Sequence, residues 1–413
     1  MLRRSIRLSV GQFTAFRRQS MISLDRYAAL LAHPELRSTV LASVIGRLPI
    51  GVTGLSILLL VQGASGSFAA AGAMTAAYII GLACVAPLLG RIIDRSGPQG
   101  VLAFSALAFP STLCALVLAT HIAPNTWLSA VLAFAAGASF PPITVCMRTF
   151  LRQQFREESL LGAAYSLESV LIELIFIVGP MLVAFLIAVA SADAAVLLAA
   201  VCGASGTLLF LRSPALAHWR TEPHAAASLL GPLAGHRFTA LLAVVLGYAS
   251  AFGLVEIGIT AYASARGLPA LAGVLLALMS AGSAIGGLAY GSRSWAPPLT
   301  RQFAIALGLM GFGMALLALP GNVWSFAILS FVAGIVMAPA LTMQAMLVAR
   351  IASSRHATEA FTWSSTALLS GVGAGMALGG WLIERWGWSA TFVAASVAAF
   401  SSGALAMRLR VPR

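Results

Sequence analysis

Apolar stretches of about 20 residues follow one another along most of the chain, and short polar segments separate them. A helix rises about 1.5 Å per residue, so it needs about 20 apolar residues to cross a hydrocarbon core about 30 Å thick. From residue 38 onward the pattern predicts twelve such helices, the fourth over residues 126–148 and the fifth over residues 163–189. We therefore expect an all-α membrane protein with twelve transmembrane helices.

One longer polar segment, rich in Pro, His and Arg, divides the twelve predicted helices into two sets of six. It predicts four regions: a basic arm over residues 1–37, a six-helix bundle over 38–212, a linker over 213–238 and a second six-helix bundle over 239–413. The two bundles share a pattern of glycines, which is typical of duplicated carriers with a central cavity. The second helix contains Gly72, Gly81 and Gly90, and the eighth contains Gly273, Gly282 and Gly291 at the same spacing.

Charge decides the expected orientation. Only 9% of the residues are charged, whereas a soluble domain has about 25%. The net charge of +13 would favour nucleic acid, but all the basic residues are Arg and lie between apolar runs and at the termini, so we expect no nucleic-acid partner. The arginines concentrate in alternate loops, which lie on one side of the membrane. This side and both termini are predicted to be cytoplasmic. The Lys-free, Ala-rich composition favours a bacterial inner membrane.

Motifs of other classes are absent from the sequence. The first 20 residues have no apolar core and no cleavage site, so they are not expected to form a cleavable signal peptide. The chain contains no HExxH, nucleophile elbow, P-loop or CxxC pattern, so we expect neither an enzyme nor an ATP-driven pump, and neither a cofactor nor a metal.

Residues 90–97 read GRIIDRSG and follow the second predicted helix. They resemble the G-x-x-x-D-R-x-G signature of the major facilitator superfamily (MFS), although the basic residues that usually follow are missing at positions 98 and 99. With the two sets of six helices, the resemblance covers the chain from about residue 38 and implies the MFS fold. It also implies a cytoplasmic latch between the two halves, formed by Gly90, Asp94, Arg95 and Gly97. The alternative is an ordinary charged turn that fixes topology.

Four charged residues lie inside predicted membrane helices, where each costs about 2.5 to 3.5 kcal/mol unless it faces a cavity or a partner. They are candidates for substrate binding and proton coupling: Arg47, Glu168, Glu173 and Glu256. Arg47 and Glu173 are predicted at the same depth, so they either form an ion pair or leave Glu173 as a protonatable or substrate-binding carboxylate. Glu168 is rotated about 140° from Glu173 on the helix, and Glu256 lies towards the periplasmic side.

Gly179 and Pro180 in the fifth helix resemble the core of a motif found in MFS antiporters, and Pro180 predicts a bend there. The function expected from these features is a secondary transporter that works by alternating access, with the lipid bilayer, protons and a small molecule as partners. We expect a monomer that exports an amphipathic compound or a metabolite. The alternatives are an importer, an uncoupled facilitator of the same fold, or a non-transporting membrane sensor.

Overall fold

A computed structural model of the chain describes residues 25–32, 34–65, 68–122, 126–155, 157–217, 219, 231–268, 271–319 and 322–409. Twelve helices in this part of the chain are long and apolar enough to cross a membrane. We number them in chain order: α1 Leu36–Ser65, α2 Ala70–Ser96, α3 Pro98–Ile122, α4 Thr126–Gln154, α5 Glu158–Val189, α6 Ala192–Leu211, α7 His236–Ala265, α8 Leu271–Gly291, α9 Leu299–Leu317, α10 Val323–Ile351, α11 Ser354–Trp386 and α12 Trp388–Met407.

The predicted number of membrane helices and the all-α fold are confirmed, but several helix ends differ from the prediction. α4 extends to Gln154 and α5 begins at Glu158, so the two helices are longer than predicted by six and five residues. An apolar run marks only the part of a helix that lies in the hydrocarbon core. The end turns of both helices are polar and therefore lie outside the predicted spans. Of the predicted arm, residues 1–24 and 33 lie outside the described residues, as do residues 218 and 220–230 of the linker.

Three membrane helices are interrupted near a proline. α1 is interrupted at Leu48, directly before Pro49, α4 over residues 139–142, and α10 over residues 335–336. A proline has no N–H to donate to the carbonyl four residues earlier, so the ladder of helical hydrogen bonds is broken there. The interruptions of α4 and α10 occur at the same place in the two halves, beside Pro142 and Pro339.

Glycine contacts repeat in the two halves. In the first half, Gly81 of α2 and Gly137 of α4 each lie against backbone of the other helix, with no room for a side chain. In the second half, Gly282 of α8 lies against backbone of α10 and Gly334 of α10 against backbone of α8 in the same way. Small residues let membrane helices approach closely and gain dispersion contacts. The structure therefore shows the internal repeat in three dimensions as well as in sequence.

The two halves meet through α2 with α11 and through α5 with α8 and α10. The short helix Asp25–Ala32 lies at the same junction, where the Tyr27 hydroxyl donates a hydrogen bond to the Leu288 carbonyl oxygen at 2.9 Å. This junction lies on the membrane side that carries the arginine-rich loops, which we call the Arg-rich face. Further hydrogen bonds between the halves reach about the middle of the helices, where the Thr366 hydroxyl donates to the Ala83 carbonyl at 3.1 Å.

Candidate functional site

Three charged side chains from α1, α4 and α5 form a buried cluster. One carboxylate oxygen of Glu168 lies 3.2 Å from Nη1 of Arg47, and the other lies 3.2 Å from Nε of Arg148. The exposed fractions of the side chains are 3% for Glu168, 1% for Arg47 and 9% for Arg148. Arg47 also donates from Nη2 to the Ser43 hydroxyl at 2.8 Å and from Nε to the Ser43 carbonyl at 3.2 Å. The cluster therefore joins three helices of the first half.

Of the two alternatives for Glu173, the ion pair with Arg47 is wrong, because Arg47 binds Glu168 instead. α5 begins at Glu158, so Glu168 lies ten residues into the helix, and Arg47 lies eleven residues into α1. At about 1.5 Å per residue, these two side chains are at nearly equal depth, whereas Glu173 is about 7.5 Å further from the Arg-rich face. The error in predicting the start of α5 thus became an error in predicting the partner.

Glu173 connects the two halves near the middle of α5. The Ser283 hydroxyl of α8 donates a hydrogen bond to Oε1 of Glu173 at 2.8 Å, and the Ser283 oxygen accepts one from the Ala338 N–H at 2.9 Å. Ala338 follows the interruption of α10, so its N–H is a donor that the helix itself leaves unsatisfied. Within the described part of the chain, no basic side chain forms an ion pair with Glu173. Its carboxylate is therefore held by a neutral hydroxyl across the junction.

Glu256 lies apart from the other three predicted residues. Its side chain is exposed, and it makes no hydrogen bond or ion pair with any side chain that the structure describes. It lies 20 residues after the start of α7, which places it about 30 Å along the helix from the Arg-rich face. The four candidates thus occupy three places: the buried cluster, the Glu173–Ser283 contact and the far end of α7.

The last two turns of α2 contact the start of α11. The two carboxylate oxygens of Asp94 accept hydrogen bonds from the backbone N–H groups of Thr358 at 2.9 Å and Glu359 at 2.8 Å. These N–H groups belong to the first turn of the helix Ala357–Trp386, where a negative charge is favourable. Arg91 donates from Nη2 to the Glu359 carboxylate at 2.6 Å and from Nε at 3.1 Å. Asp94 and Arg91 therefore connect the first half to the second.

The other three residues of the predicted latch differ in their surroundings. Gly90 lies against Glu359 and Thr362, so a side chain there would displace α11. Gly97 has a backbone φ of 84°, a conformation that glycine adopts without strain and that allows the sharp turn from α2 to α3. Arg95 is exposed and forms no ion pair with a described residue. Arg91, which was not among the predicted latch residues, makes an ion pair between the two halves.

Gly179 of α5 packs directly against Gly51 of α1, and a Cβ on Gly179 would overlap the Gly51 backbone. The glycine therefore allows close contact between two helices of the first half. α5 remains helical through Pro180 to Val189, and the bend expected at Pro180 stays a prediction.

Five polar residues of the site were not predicted from the sequence: Arg91, Arg148, Ser283, Gln344 and Glu359. Arg148 is the last residue of the predicted fourth helix and was counted among the arginines that set the orientation, although its spacing of four residues from Arg152 is a helical signal. Gln344 accepts a hydrogen bond from the Tyr248 hydroxyl and donates one to Ser364 Oγ at 2.7 Å. It is neutral and lies in an apolar run, so nothing in the local sequence distinguishes it.

Two six-helix halves with an internal repeat and interrupted helices near their junction define a secondary carrier. Residues 39–300 and 299–413 match the sequence profile of the Major Facilitator Superfamily, and the chain belongs to this family. It is a multi-pass membrane transport protein for small molecules, not an enzyme.

Solved structures share this fold at low sequence identity. The chain is similar to the human organic anion transporter MFSD10 (TETRAN), with 17% identity, a TM-score of 0.71, and 90% of this chain and 99% of that chain covered. It is similar to a bacterial homologue of the iron transporter ferroportin in the outward-facing state, with 15% identity, a TM-score of 0.74, and 90% and 98% covered. It is also similar to a variant of the E. coli fucose:proton symporter FucP, with 12% identity, a TM-score of 0.70, and 91% and 98% covered. No curated protein sequence matches the chain.

Proposed function

We propose that the protein is a proton-coupled exporter of an amphipathic compound or metabolite in a bacterial inner membrane, with both termini in the cytoplasm. In this proposal, the two halves rock about their junction near Glu173. Protonation of Glu173 is linked to that movement. The direction of transport rests on the resemblance of Gly179 and Pro180 to the antiporter motif. The orientation rests on the arginines of alternate loops.

The observation that supports proton coupling most directly is the hydrogen bond between Glu173 and Ser283. It joins the two halves at mid-depth, where a carboxylate without a basic partner is readily protonated. When the carboxylate is ionised, it accepts the Ser283 hydrogen bond strongly, and when it is neutral, it accepts it more weakly. Protonation thus changes the free energy of one junction contact, which is what coupling to a conformational change requires.

The contacts on the Arg-rich face support an outward-facing state for the structure. Asp94 binds the start of α11, and Nη2 of Arg152 donates to the Ala352 carbonyl at 2.7 Å. The Thr149 and Thr358 hydroxyls lie 3.2 Å apart at the same level. If the Arg-rich face is cytoplasmic, these contacts close the cytoplasmic side. The latch residues would then release when that side opens.

The remaining candidates have distinct proposed roles. Arg47 and Glu168 stabilise the charged cluster near the Arg-rich face. Glu256 is a second protonatable group near the opposite side of the membrane. Among the similar structures, the name of one refers to proton symport and the name of another to organic anions. The fold therefore accommodates both proton coupling and charged organic substrates.

Proteoliposomes that contain an internal pH-sensitive dye test the proposal. Three compounds of similar size serve as probes: naphthalene-1-sulfonate, N-methylquinolinium and the neutral naphthalene-1-sulfonamide. The two ions carry permanent charges, so neither transports a proton by itself. We expect at least one probe to drive proton movement through the wild-type protein and none to do so in empty liposomes.

Two variants separate protonation from packing at Glu173. Glu173→Gln is expected to exchange probe for probe but to move no protons. Ser283→Ala keeps the carboxylate and removes its partner, so it is expected to retain coupling at a changed rate. Proton movement by Glu173→Gln at the wild-type level would refute the role of Glu173. Probe transport that does not depend on a pH gradient would favour the uncoupled facilitator.

A further inference from the structure

The buried cluster of Arg47, Arg148 and Glu168 carries one positive charge more than negative. Arg47 uses all three guanidinium nitrogens, with two directed to Ser43 and one to Glu168. Arg148 uses only Nε, and its two terminal nitrogens make no hydrogen bond with the described residues. The Arg148 side chain is nevertheless only 9% exposed. A buried charged group with unused donors is unfavourable unless a partner of opposite charge satisfies it.

The position of Arg148 on α4 places it at the boundary between the halves. Arg148 and Arg152 are four residues apart and therefore lie on the same face of the helix, one turn from each other. Arg152 reaches across to the Ala352 carbonyl of the second half. Thr149, the next residue, contacts Thr358 of the second half. Arg148 thus lies one turn deeper than Arg152 and directly beside Thr149, at the inner edge of the contacts that close the Arg-rich face.

Nearby acids are occupied elsewhere. Asp94 is bound to the start of α11, and Glu359 is bound to Arg91. Glu173 lies about 7.5 Å further along α5 than Glu168 and binds Ser283. Among the described residues, Glu168 is the one acid that forms an ion pair with Arg148. The excess positive charge therefore has no counter-charge from this part of the protein.

The groups around Arg148 suit an amphipathic partner. The Tyr165 hydroxyl donates to the Arg148 carbonyl at 3.1 Å, and the Tyr165 ring packs against Phe361 of the second half with ring centres 6.1 Å apart. In the second half, the Tyr248 hydroxyl of α7 donates a hydrogen bond to Gln344. Tyr248 packs against Phe252 with ring centres 5.4 Å apart. Two aromatic rings, one from each half, thus pack beside the α4 backbone at Arg148.

We infer that Arg148 binds the acidic group of the transported compound, and that the substrates are organic anions with an apolar body. This inference rests on the proposed transport function and specifies its substrate class. A guanidinium presents two parallel N–H donors, which match a carboxylate or sulfonate. Bound anion neutralises the excess charge of the cluster while the aromatic rings contact the apolar body.

Thermal unfolding of the detergent-solubilised protein at one fixed pH tests the inference. A ligand that binds only the folded state raises Tm, and the rise grows with the ratio of its concentration to Kd. Naphthalene-1-sulfonate is expected to raise the wild-type Tm, whereas naphthalene-1-sulfonamide, N-methylquinolinium and inorganic sulfate at equal concentrations are expected to leave it unchanged. Because no pH gradient is involved, the result does not depend on whether transport is proton-coupled.

Variants of the cluster give results of opposite sign. Arg148→Gln keeps the pair between Arg47 and Glu168 and is expected to fold and to lose the sulfonate shift, and Arg148→Lys is expected to retain part of it. Glu168→Gln leaves two arginines without a carboxylate and is expected to enlarge the shift. Arg293→Gln, which changes an exposed arginine after α8, serves as the control with an unchanged shift.

Each of the opposite results would overturn the inference. An undiminished sulfonate shift in Arg148→Gln would show that the anion binds elsewhere. A shift with N-methylquinolinium alone would indicate cationic substrates, and an equal shift with the sulfonamide would show that the charge is not recognised. An equal shift with sulfate would identify a site for inorganic anions rather than for an organic substrate. No shift with any probe would also contradict it.

Discussion

Arg47 of α1 and Glu168 of α5 form an ion pair with 3.2 Å between Nη1 and Oε1, and both side chains are almost completely buried. The two residues are 121 positions apart in the chain. Removing one partner of such a pair leaves the other as a buried charge without compensation, which is strongly destabilising. Substitutions at this pair therefore measure how much the buried charges contribute to the stability of the first half.

We predict that Glu168→Gln lowers the free energy of unfolding by about 3 kcal/mol, because two buried arginines lose their carboxylate. Arg148→Gln is the matched variant, and we expect it to be neutral or slightly stabilising, since it removes the excess charge and keeps the pair with Arg47. Thermal unfolding without ligand measures both. Equal losses in the two variants would contradict the charge balance described above.

We predict that Asp94→Asn weakens the closed state of the Arg-rich face. The amide accepts fewer and weaker hydrogen bonds from the first turn of α11 and lacks the favourable charge, so the loss is about 1 kcal/mol. Cross-linking of Thr149→Cys with Thr358→Cys measures the closed population in a background without the four native cysteines. We expect a lower cross-linking rate.

Arg95→Gln is the control for Asp94→Asn, because Arg95 is an exposed neighbour of Asp94 without an ion pair to a described residue. It should leave the cross-linking rate unchanged. A reduction of equal size in both variants would show that the end of α2 acts through its total charge. The specific bond between Asp94 and α11 would then be unimportant.

We predict that Gly179→Ala is destabilising by about 1 to 3 kcal/mol, because the added methyl group meets the backbone of Gly51 and forces α1 and α5 apart. Gly72→Ala in α2 is the control, since nothing lies within 4 Å of its new Cβ. Alanine also favours a helix over glycine by about 1 kcal/mol, so the control should be neutral or stabilising. Similar effects of both substitutions on Tm would refute the close contact.

We predict opposite labelling of two exposed arginines by a membrane-impermeant maleimide. Arg95 lies in the last turn of α2 on the Arg-rich face, and Arg266 follows α7 on the other side. In inverted membrane vesicles, Arg95→Cys should react and Arg266→Cys should not, and in right-side-out vesicles the pattern should reverse. The reverse result would invert the proposed orientation of the whole protein.

The sequence alone was sufficient for the number of membrane helices, the division into two halves and the family. These properties depend on hydropathy and on short motifs, which are local along the chain. The motif at residues 90–97 also indicated a contact between the halves. It did not indicate that Arg91 binds Glu359, because Glu359 lies 268 residues away and outside any motif.

Only the tertiary structure decided which charged residues meet. Arg47 binds Glu168 rather than Glu173 because pairing depends on the depth and rotation of two helices, and an error of five residues at the start of α5 changes depth by about 7.5 Å. The prediction placed Arg148 at the very end of the fourth helix, whereas the full length of α4 places it inside the protein. Helix ends are polar and poorly marked in sequence, so their predicted positions are wrong by several residues. Ion pairs form only over distances of a few ångströms. The charged cluster could therefore be identified only in the packed structure.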